Sequence, residues 1–227
     1  MREGARILVT GGASGLGAAV ASAVTDAGAS AYVLDRQAPV PRFAWEQVDL
    51  ADGRATEKAV QRVAESGGLD GVVTAAGTDA CGDLDDVPAQ DWERVVRVNL
   101  LGTAAVVRAA APWLEQRGGR LVLVGSTLGL RALPAATAYC ASKFGVVGFA
   151  RALTAELSGR VGVTLLQPGG MDTAFFDGRP EQFKPAADQP LAAPADVAAA
   201  ALFALEQPPG SEIKELVIAP PSEPSWP

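Results

Sequence analysis

The chain has no histidine among its 227 residues. That absence removes Ser-His-Asp and Cys-His nucleophile activation and every His-ligated metal site, so no metal centre is expected. Cysteine is nearly as scarce: Cys81 and Cys140 do not form a C-x-x-C pair. A reduced cytosolic protein fits that usage better than a disulfide, and Cys140 reads as a small packing residue. Positive charge is the minority sign, with 19 Lys and Arg against 26 Asp and Glu and a net charge of −7. A phosphate-backbone partner is therefore not expected. No stretch reads as long and apolar enough to span a bilayer, so no membrane partner is expected either. Met1-Arg2-Glu3-Gly4 runs into the first strand without a signal-peptide layout, and the expected location is the cytoplasm.

What is present is alternation. Apolar, β-branched runs at 5–10, 30–35, 44–48, 69–75, 120–125, 162–167 and 215–219 read as strands. Helix-period segments fall at 15–27, 53–65, 91–117, 137–158 and 194–206, with Pro112 expected to kink or close the third. Strand and helix in alternation predict an α/β fold: a doubly wound parallel sheet with helices on both faces. The chain is long enough for one domain, residues 1–227, with a real core. Residues 174–193 are irregular, carry Pro180, Pro185 and Pro190 with Phe175, Phe176 and Phe183, and read as a substrate lid. A surface excursion whose phenylalanines patch the core is the plainer reading. The tail, 220–227, is proline-rich, and Trp226 suggests that it docks.

Two motifs carry chemistry. Tyr139 and Lys143 lie four residues apart, on one face of a helix. A phenol titrates near pH ~10, and lowering it by about three units needs roughly 4 kcal/mol. A fixed positive charge about 4 Å away supplies that order of energy at an effective dielectric near 20. The pair can make a working acid/base, although the same spacing also suits a solvated face with a snorkelling lysine. The second motif, Thr10-Gly11-Gly12-Ala13-Ser14-Gly15-Leu16-Gly17, lies between a strand and a helix. Glycines there let the backbone approach a pyrophosphate at a helix N-terminus. Asp35 ends the next strand about 20 residues on, where a carboxylate accepts from a ribose and repels a 2′-phosphate. Arg36 pulls the other way, and on balance NAD is favoured over NADP. Asp35 also suits a strand-end turn, and Asp49 suits either an adenine contact or the N-cap of the next helix.

Taken in order, these pieces resemble the short-chain dehydrogenase/reductase family, in its Thr-Gly-x-x-x-Gly-x-Gly branch, from about Arg6 to Ala219. The matching elements are the Thr10–Gly17 turn, Ala75-Ala76-Gly77, Asn99, Ser126 thirteen residues before Tyr139, the Tyr139/Lys143 pair, and Pro168-Gly169 with Thr173 beyond. The resemblance implies a Rossmann-like single domain and a catalytic set of Asn99, Ser126, Tyr139 and Lys143. It places cofactor contacts at Gly11, Ser14, Gly15, Leu16, Gly17, Asp35, Arg36, Asp49, Leu50, Ala76, Gly77, Tyr139, Lys143, Pro168, Gly169 and Thr173. Tyr139 would exchange the proton, Lys143 would lower its pKa and hold ribose hydroxyls, Ser126 would bind the substrate oxygen, and Asn99 would hold a water leading to Lys143. Two departures stand out: Thr74 where the family usually has asparagine, and Gly170, expected to widen the pocket, where many members carry a bulky residue.

The implied activity is reversible hydride transfer between a nicotinamide cofactor and a secondary alcohol or ketone. Thr127, Leu128, Leu130, Leu133, Gly170, Phe175 and Phe176 are candidate lining residues, mostly apolar, so an uncharged and largely apolar small molecule is favoured. Arg131, Arg179 and Lys184 read as solvated charges or as partners for a carboxylate or acyl carrier. Alternatives are an NADP-dependent ketoreductase of acyl thioesters and a non-catalytic dinucleotide sensor. The family usually forms homotetramers or homodimers, and Val146, Val147, Phe149, Ala150 and Leu153 are divided between the sheet and a partner helix.

Overall fold

The computed structural model describes residues 1–226. Seven strands form one parallel sheet in the order β3-β2-β1-β4-β5-β6-β7. They are β1 (Arg6–Thr10), β2 (Ser30–Asp35), β3 (Ala44–Gln47), β4 (Gly71–Thr74), β5 (Arg120–Val124), β6 (Gly162–Pro168) and β7 (Glu215–Ile218). β4, β6 and nearly all of β1 and β5 are buried, as expected when helices cover both faces of a parallel sheet. On one face pack α1 (Gly15–Asp26) and α6 (Pro194–Leu205), on the other α2 (Gly53–Glu65), α4 (Thr103–Glu115) and α5 (Thr137–Glu156). Each face has its own apolar cluster: Val20, Val24 and Ala201 sit in one, Val60, Val106 and Val146 in the other.

Local chemistry sets the element ends. The Asp52 side chain accepts from the Arg54 and Ala55 amides and caps α2. Asp49 is therefore not the cap of that helix; it accepts from the Ala51 amide one turn earlier. Strand order reverses between β1 and β4, so the connections leaving these two strands diverge and open a crevice at the carboxyl edge.

The long helix expected over 91–117 is not uniform. It runs as α3 (Ala89–Val96), a π-helical turn (Arg97–Gly102) and α4. Gly102 lets this turn press on the preceding loop, since a Cβ there would lie 2.6 Å from the Leu50 carbonyl oxygen. Pro112 does not close α4, which continues to Glu115. Taken together, Ala89–Glu115 is long and apolar enough, by length and composition, to cross a membrane, contrary to the sequence expectation. Half of its apolar window is buried inside this fold, where the run packs on α2 and α5.

The glycine turn joins β1 to α1 in very little space. Gly11 has φ +72°, and a Cβ on it would lie 2.7 Å from the Ala76 Cα in the loop after β4. A Cβ on Gly17 would lie 2.1 Å from the Gly11 carbonyl oxygen. Backbone cannot yield as a flexible side chain can, so Gly17→Ala is expected to destabilise by about 1–3 kcal/mol through overpacking. Urea denaturation of the two proteins measures this, and equal stability would show that the turn has slack.

Candidate active site

One cleft of about 970 Å3 runs along the carboxyl edge of the sheet. Every cofactor contact expected from the sequence lines it, from Gly11 and Asp35 at one end to Pro168, Gly169 and Thr173 at the other. Ser126, Tyr139 and Lys143 line it too, while Asn99 does not.

At the glycine turn, Ser14 is the N-cap of α1, and its side chain makes no capping hydrogen bond. The first-turn amides of α1 are therefore left for a ligand, with no acidic residue in that turn to oppose an anion. Asp35 holds the turn from below: Oδ2 accepts from the Ala13 amide at 3.0 Å and Oδ1 from the Gln37 amide at 3.0 Å. The Thr10 hydroxyl accepts from the Ala76 amide at 3.1 Å. Arg36 is exposed beside Asp35, and Arg94 from α3 donates to Asp49 Oδ2 at 2.8 Å. Burial opposes ionisation of Asp49, yet the Ala51 amide and the Arg94 guanidinium hold its carboxyl below the usual range. These donors, backbone amides and glycine cradle fit a dinucleotide in shape and charge.

In the catalytic region, Ser126 follows β5 and Tyr139 and Lys143 lie in the first turns of α5. Ser126 and Tyr139 line the same end of the cleft, and Ser126 Oγ accepts from the Leu128 amide at 3.1 Å. Lys143 is 5 % exposed, its Nζ donates to the Val124 carbonyl at 3.0 Å, and it has no carboxylate partner among the described residues. Burial alone lowers its pKa to about 8. The sequence reading had this ammonium pulling the phenol down; here the phenol is raised. Burial pushes Tyr139 above its ordinary range, the neighbouring Ser126 hydroxyl pulls it back in part, and the Asp79 carboxylate pushes it further up. Lys143 Nζ stands 5.5 Å from the Tyr139 ring centroid, with its proton held by a backbone carbonyl.

Asn99 is 1 % exposed inside the π-helical turn. Its Oδ1 accepts from the Thr78 amide at 2.8 Å, and its Nδ2 donates to the Thr78 carbonyl at 2.9 Å and the Ser142 hydroxyl at 3.0 Å. The side-chain amide is thus a clasp on the loop after β4. The wider π turn lets a helical residue reach that loop. Thr74, in the departing position, buries its hydroxyl without a partner among the described residues.

The substrate end is less apolar than expected. Leu128, Leu133, Phe175 and Phe176 line it, but Leu130 does not. The Tyr139 and Phe175 rings meet edge-on at 5.6 Å between centroids. Asp79, absent from the sequence reading, pairs with Arg179 from the segment 174–193. Arg179 also lies over the rings of Phe175 and Phe176, at 5.1 and 4.6 Å from their centroids. Its terminal nitrogens are engaged, by Asp79 and the Phe183 carbonyl, so it is not a solvated surface charge, while its Nε has no partner among the described residues. Lys184 pairs with Glu181, and Arg131 donates to the Pro224 and Trp226 carbonyls. Cys81 donates to Asp79, and burial, then that carboxylate, push its thiol to about 12. Gly170 does not widen the pocket: the space beside it holds Leu191, 2.9 Å from where a Cβ would stand, and the Glu223 carboxylate. Nothing local in the sequence marked Asp79 or Glu223, because each acts through a contact with a distant segment.

Comparison with known proteins agrees with this geometry. The family model described as short chain dehydrogenase matches residues 5–183. A D-threitol dehydrogenase of Mycolicibacterium smegmatis is 36% identical over 181 residues, covering 73% of this chain and 70% of that protein. A short chain dehydrogenase from Burkholderia cenocepacia in complex with NADP superposes with a TM-score of 0.84 at 33% identity, covering 96% of this chain and 97% of that one. Another, from Mycobacterium paratuberculosis and bound to NAD, gives 0.81 at 25% identity, covering 95% and 96%. A glycine cradle and a Ser–Tyr–Lys cluster meet in one cleft of a seven-stranded parallel sheet, and the chain is an oxidoreductase of the short-chain dehydrogenase/reductase family.

Proposed function

We propose that this chain catalyses reversible hydride transfer between a nicotinamide dinucleotide, NAD in preference to NADP, and a small secondary alcohol or ketone. The observation that carries the reading is the single cleft in which the glycine turn, Ser126, Tyr139 and Lys143 face one another. A bound nicotinamide supplies the hydride donor or acceptor. Gly11, Ser14 and the first turn of α1 would hold the pyrophosphate, Asp35 the adenosine ribose, and Pro168, Gly169 and Thr173 the nicotinamide side.

The chain's own groups do the rest. Ser126 Oγ, fixed by the Leu128 amide, holds the substrate oxygen. Tyr139, kept protonated by burial, donates to the oxygen as a carbonyl is reduced and accepts its proton in the reverse direction. Lys143 supplies a buried ammonium to ribose hydroxyls and to the phenol once negative charge develops there. Asn99 positions the loop after β4 through Thr78. The segment 174–193 serves as the lid, tied to that loop by the Asp79–Arg179 pair. The name of the D-threitol relative supports an alcohol substrate. The acyl-carrier alternative loses support because Arg131, Arg179 and Lys184 are all engaged within the chain. A homotetramer or homodimer is supported by exposed apolar side chains, Phe144 on α5 and Leu101 beside it, whereas Val146, Val147, Ala150 and Leu153 are spent on the protomer's core.

Tyr139→Phe is expected to lower kcat by about 10²–10⁴-fold while NADH still binds, as followed by fluorescence titration. Unchanged turnover would remove the phenol from the chemistry. Asp35→Ser is expected to raise the ratio of kcat/KM for NADPH over NADH by about tenfold or more, since the carboxylate repels a 2′-phosphate; an unmoved ratio would remove Asp35 from cofactor selection.

Lys143 also predicts a pH signature in the free protein. Its folded pKa of about 8 lies below the ordinary 10.5, so between those values the unfolded chain binds the extra proton and stability rises with pH. Below pH 8 both states are protonated and the full cost of the buried charge is present. Lys143→Met removes this cost. Its stability advantage over the parent is expected to be greatest below pH 8 and to shrink toward pH 10.5. Urea midpoints across that range measure it, and a difference constant with pH would show that Lys143 is not a buried ammonium.

A further inference from the structure

The tail beyond β7 folds back into the catalytic cleft. Glu223, Pro224 and Ser225 line the same cavity as Ser126 and Tyr139. The return is built from specific contacts. Glu223 Oε2 accepts from the Gly170 amide at 2.7 Å. Its Oε1 accepts from the Ser225 amide at 3.1 Å and the Ser225 hydroxyl at 2.5 Å. The Ser225 hydroxyl, in a residue 5 % exposed, meets the Thr127 hydroxyl at 2.6 Å. Arg131 donates to the carbonyls of Pro224 and Trp226, both at 3.4 Å. Gly169 is fitted to this carboxylate, because a Cβ there would lie 2.4 Å from Glu223 Oε2.

Three properties of Glu223 then matter. Oε2 is anchored to the amide of Gly170, which follows the Pro168-Gly169 segment, and Oε1 to Ser225, whose hydroxyl in turn meets Thr127, the residue after Ser126. Glu223 has no ion-pair partner among the described residues, whereas Asp79, another carboxylate lining this cleft, is paired with Arg179. And Oε1 receives two hydrogen bonds while Oε2 receives one, which leaves an acceptor position on Oε2. An ionised carboxylate only accepts hydrogen bonds. At a cleft wall it favours a ligand that brings a hydroxyl and disfavours one that brings a carboxylate or phosphate.

We propose that Glu223 is a specificity-determining residue that accepts a hydrogen bond from a second hydroxyl of the substrate, next to the reacting carbinol. The substrate class is then a vicinal diol, polyol or hydroxyketone, not a plain apolar ketone. This rests on the dehydrogenase reading above and narrows it.

The test compares 2,3-butanediol with 2-butanol, which share one carbon skeleton, as substrates with NAD⁺. The proteins are the parent, Glu223→Gln, and a chain lacking residues 220–227. Glu223→Gln keeps the shape of the wall and removes its charge, and thermal melts check that each variant folds. A hydrogen bond to a charged acceptor gives an expected diol preference in kcat/KM of roughly tenfold or more in the parent. In both variants the preference is expected to fall to about twofold or less, with NADH affinity and the 2-butanol rate within about twofold of the parent, since uniform binding is what has been lost. A diol preference that survives in both variants, or that the parent lacks, overturns the proposal. Calorimetric titration of 2,3-butanediol into each protein with NAD⁺ reads the same contact without turnover. Diol binding lost in the variants, in a parent inactive with both alcohols, would sink the dehydrogenase reading and keep the Glu223 contact; diol binding equal in all three sinks the contact.

Discussion

Close approach of two backbones at the carboxyl edge of the sheet is the constraint on which the site depends. The turn after β1 and the loop after β4 lie so near that Gly11 cannot carry a side chain without meeting Ala76. The Thr10 hydroxyl and the Asn99 amide fasten the same loop from either side. With those two segments fixed, the N-terminus of α1 faces an open crevice, and β5 and α5 bring Ser126, Tyr139 and Lys143 to its far end. The fold therefore places a helix terminus and the Ser126–Tyr139–Lys143 cluster along one wall, at the place where parallel sheets with reversed strand order generally bind ligands.

The electrostatics of that wall rest on two poorly solvated titratable groups. Lys143 is buried without a counter-ion among the described residues, and Tyr139, partly buried, retains its proton. The cost of the buried ammonium is offset by the packing of α5 against the sheet, where Val146, Val147 and Ala150 are buried. Strain of this kind is tolerated where function needs it. The Asp79–Arg179 pair is different in kind. It is largely shielded and linked to three aromatic neighbours or carbonyls, so its value is in holding 174–193 in one place rather than in net stability.

Local pattern carried the fold. The alternation of β-branched runs with helix-period segments places all seven strands to within a few residues, and the glycine turn names its own position between β1 and α1. The Tyr139/Lys143 spacing is equally local, being one helical turn. What local pattern could not carry were interactions between distant segments. The π-helical turn at Asn99 arises from Gly102 pressing on Leu50 and from the clasp on Thr78, and neither has a sequence period. Arg179 looked like a surface charge because its partner is 100 residues away. Glu223 lies in a proline-rich tail with no periodicity, and the sequence reading gives Gly170 a wider pocket where the structure places Leu191 and the Glu223 carboxylate. The direction of the Tyr139 shift was missed for the same reason: spacing fixes which groups are neighbours, but burial decides which term dominates.

The most direct measurement is label transfer. Incubation of the protein with NAD⁺ and a secondary alcohol carrying deuterium at the carbinol carbon, 2-butanol or 2,3-butanediol, is followed by NMR of the recovered NADH. Direct hydride transfer in this cleft predicts one deuterium at the nicotinamide C4 position on a single face, with none lost to solvent. Deuterium released to water, or divided between both faces, would contradict the arrangement of Ser126, Tyr139 and Lys143 described for this site.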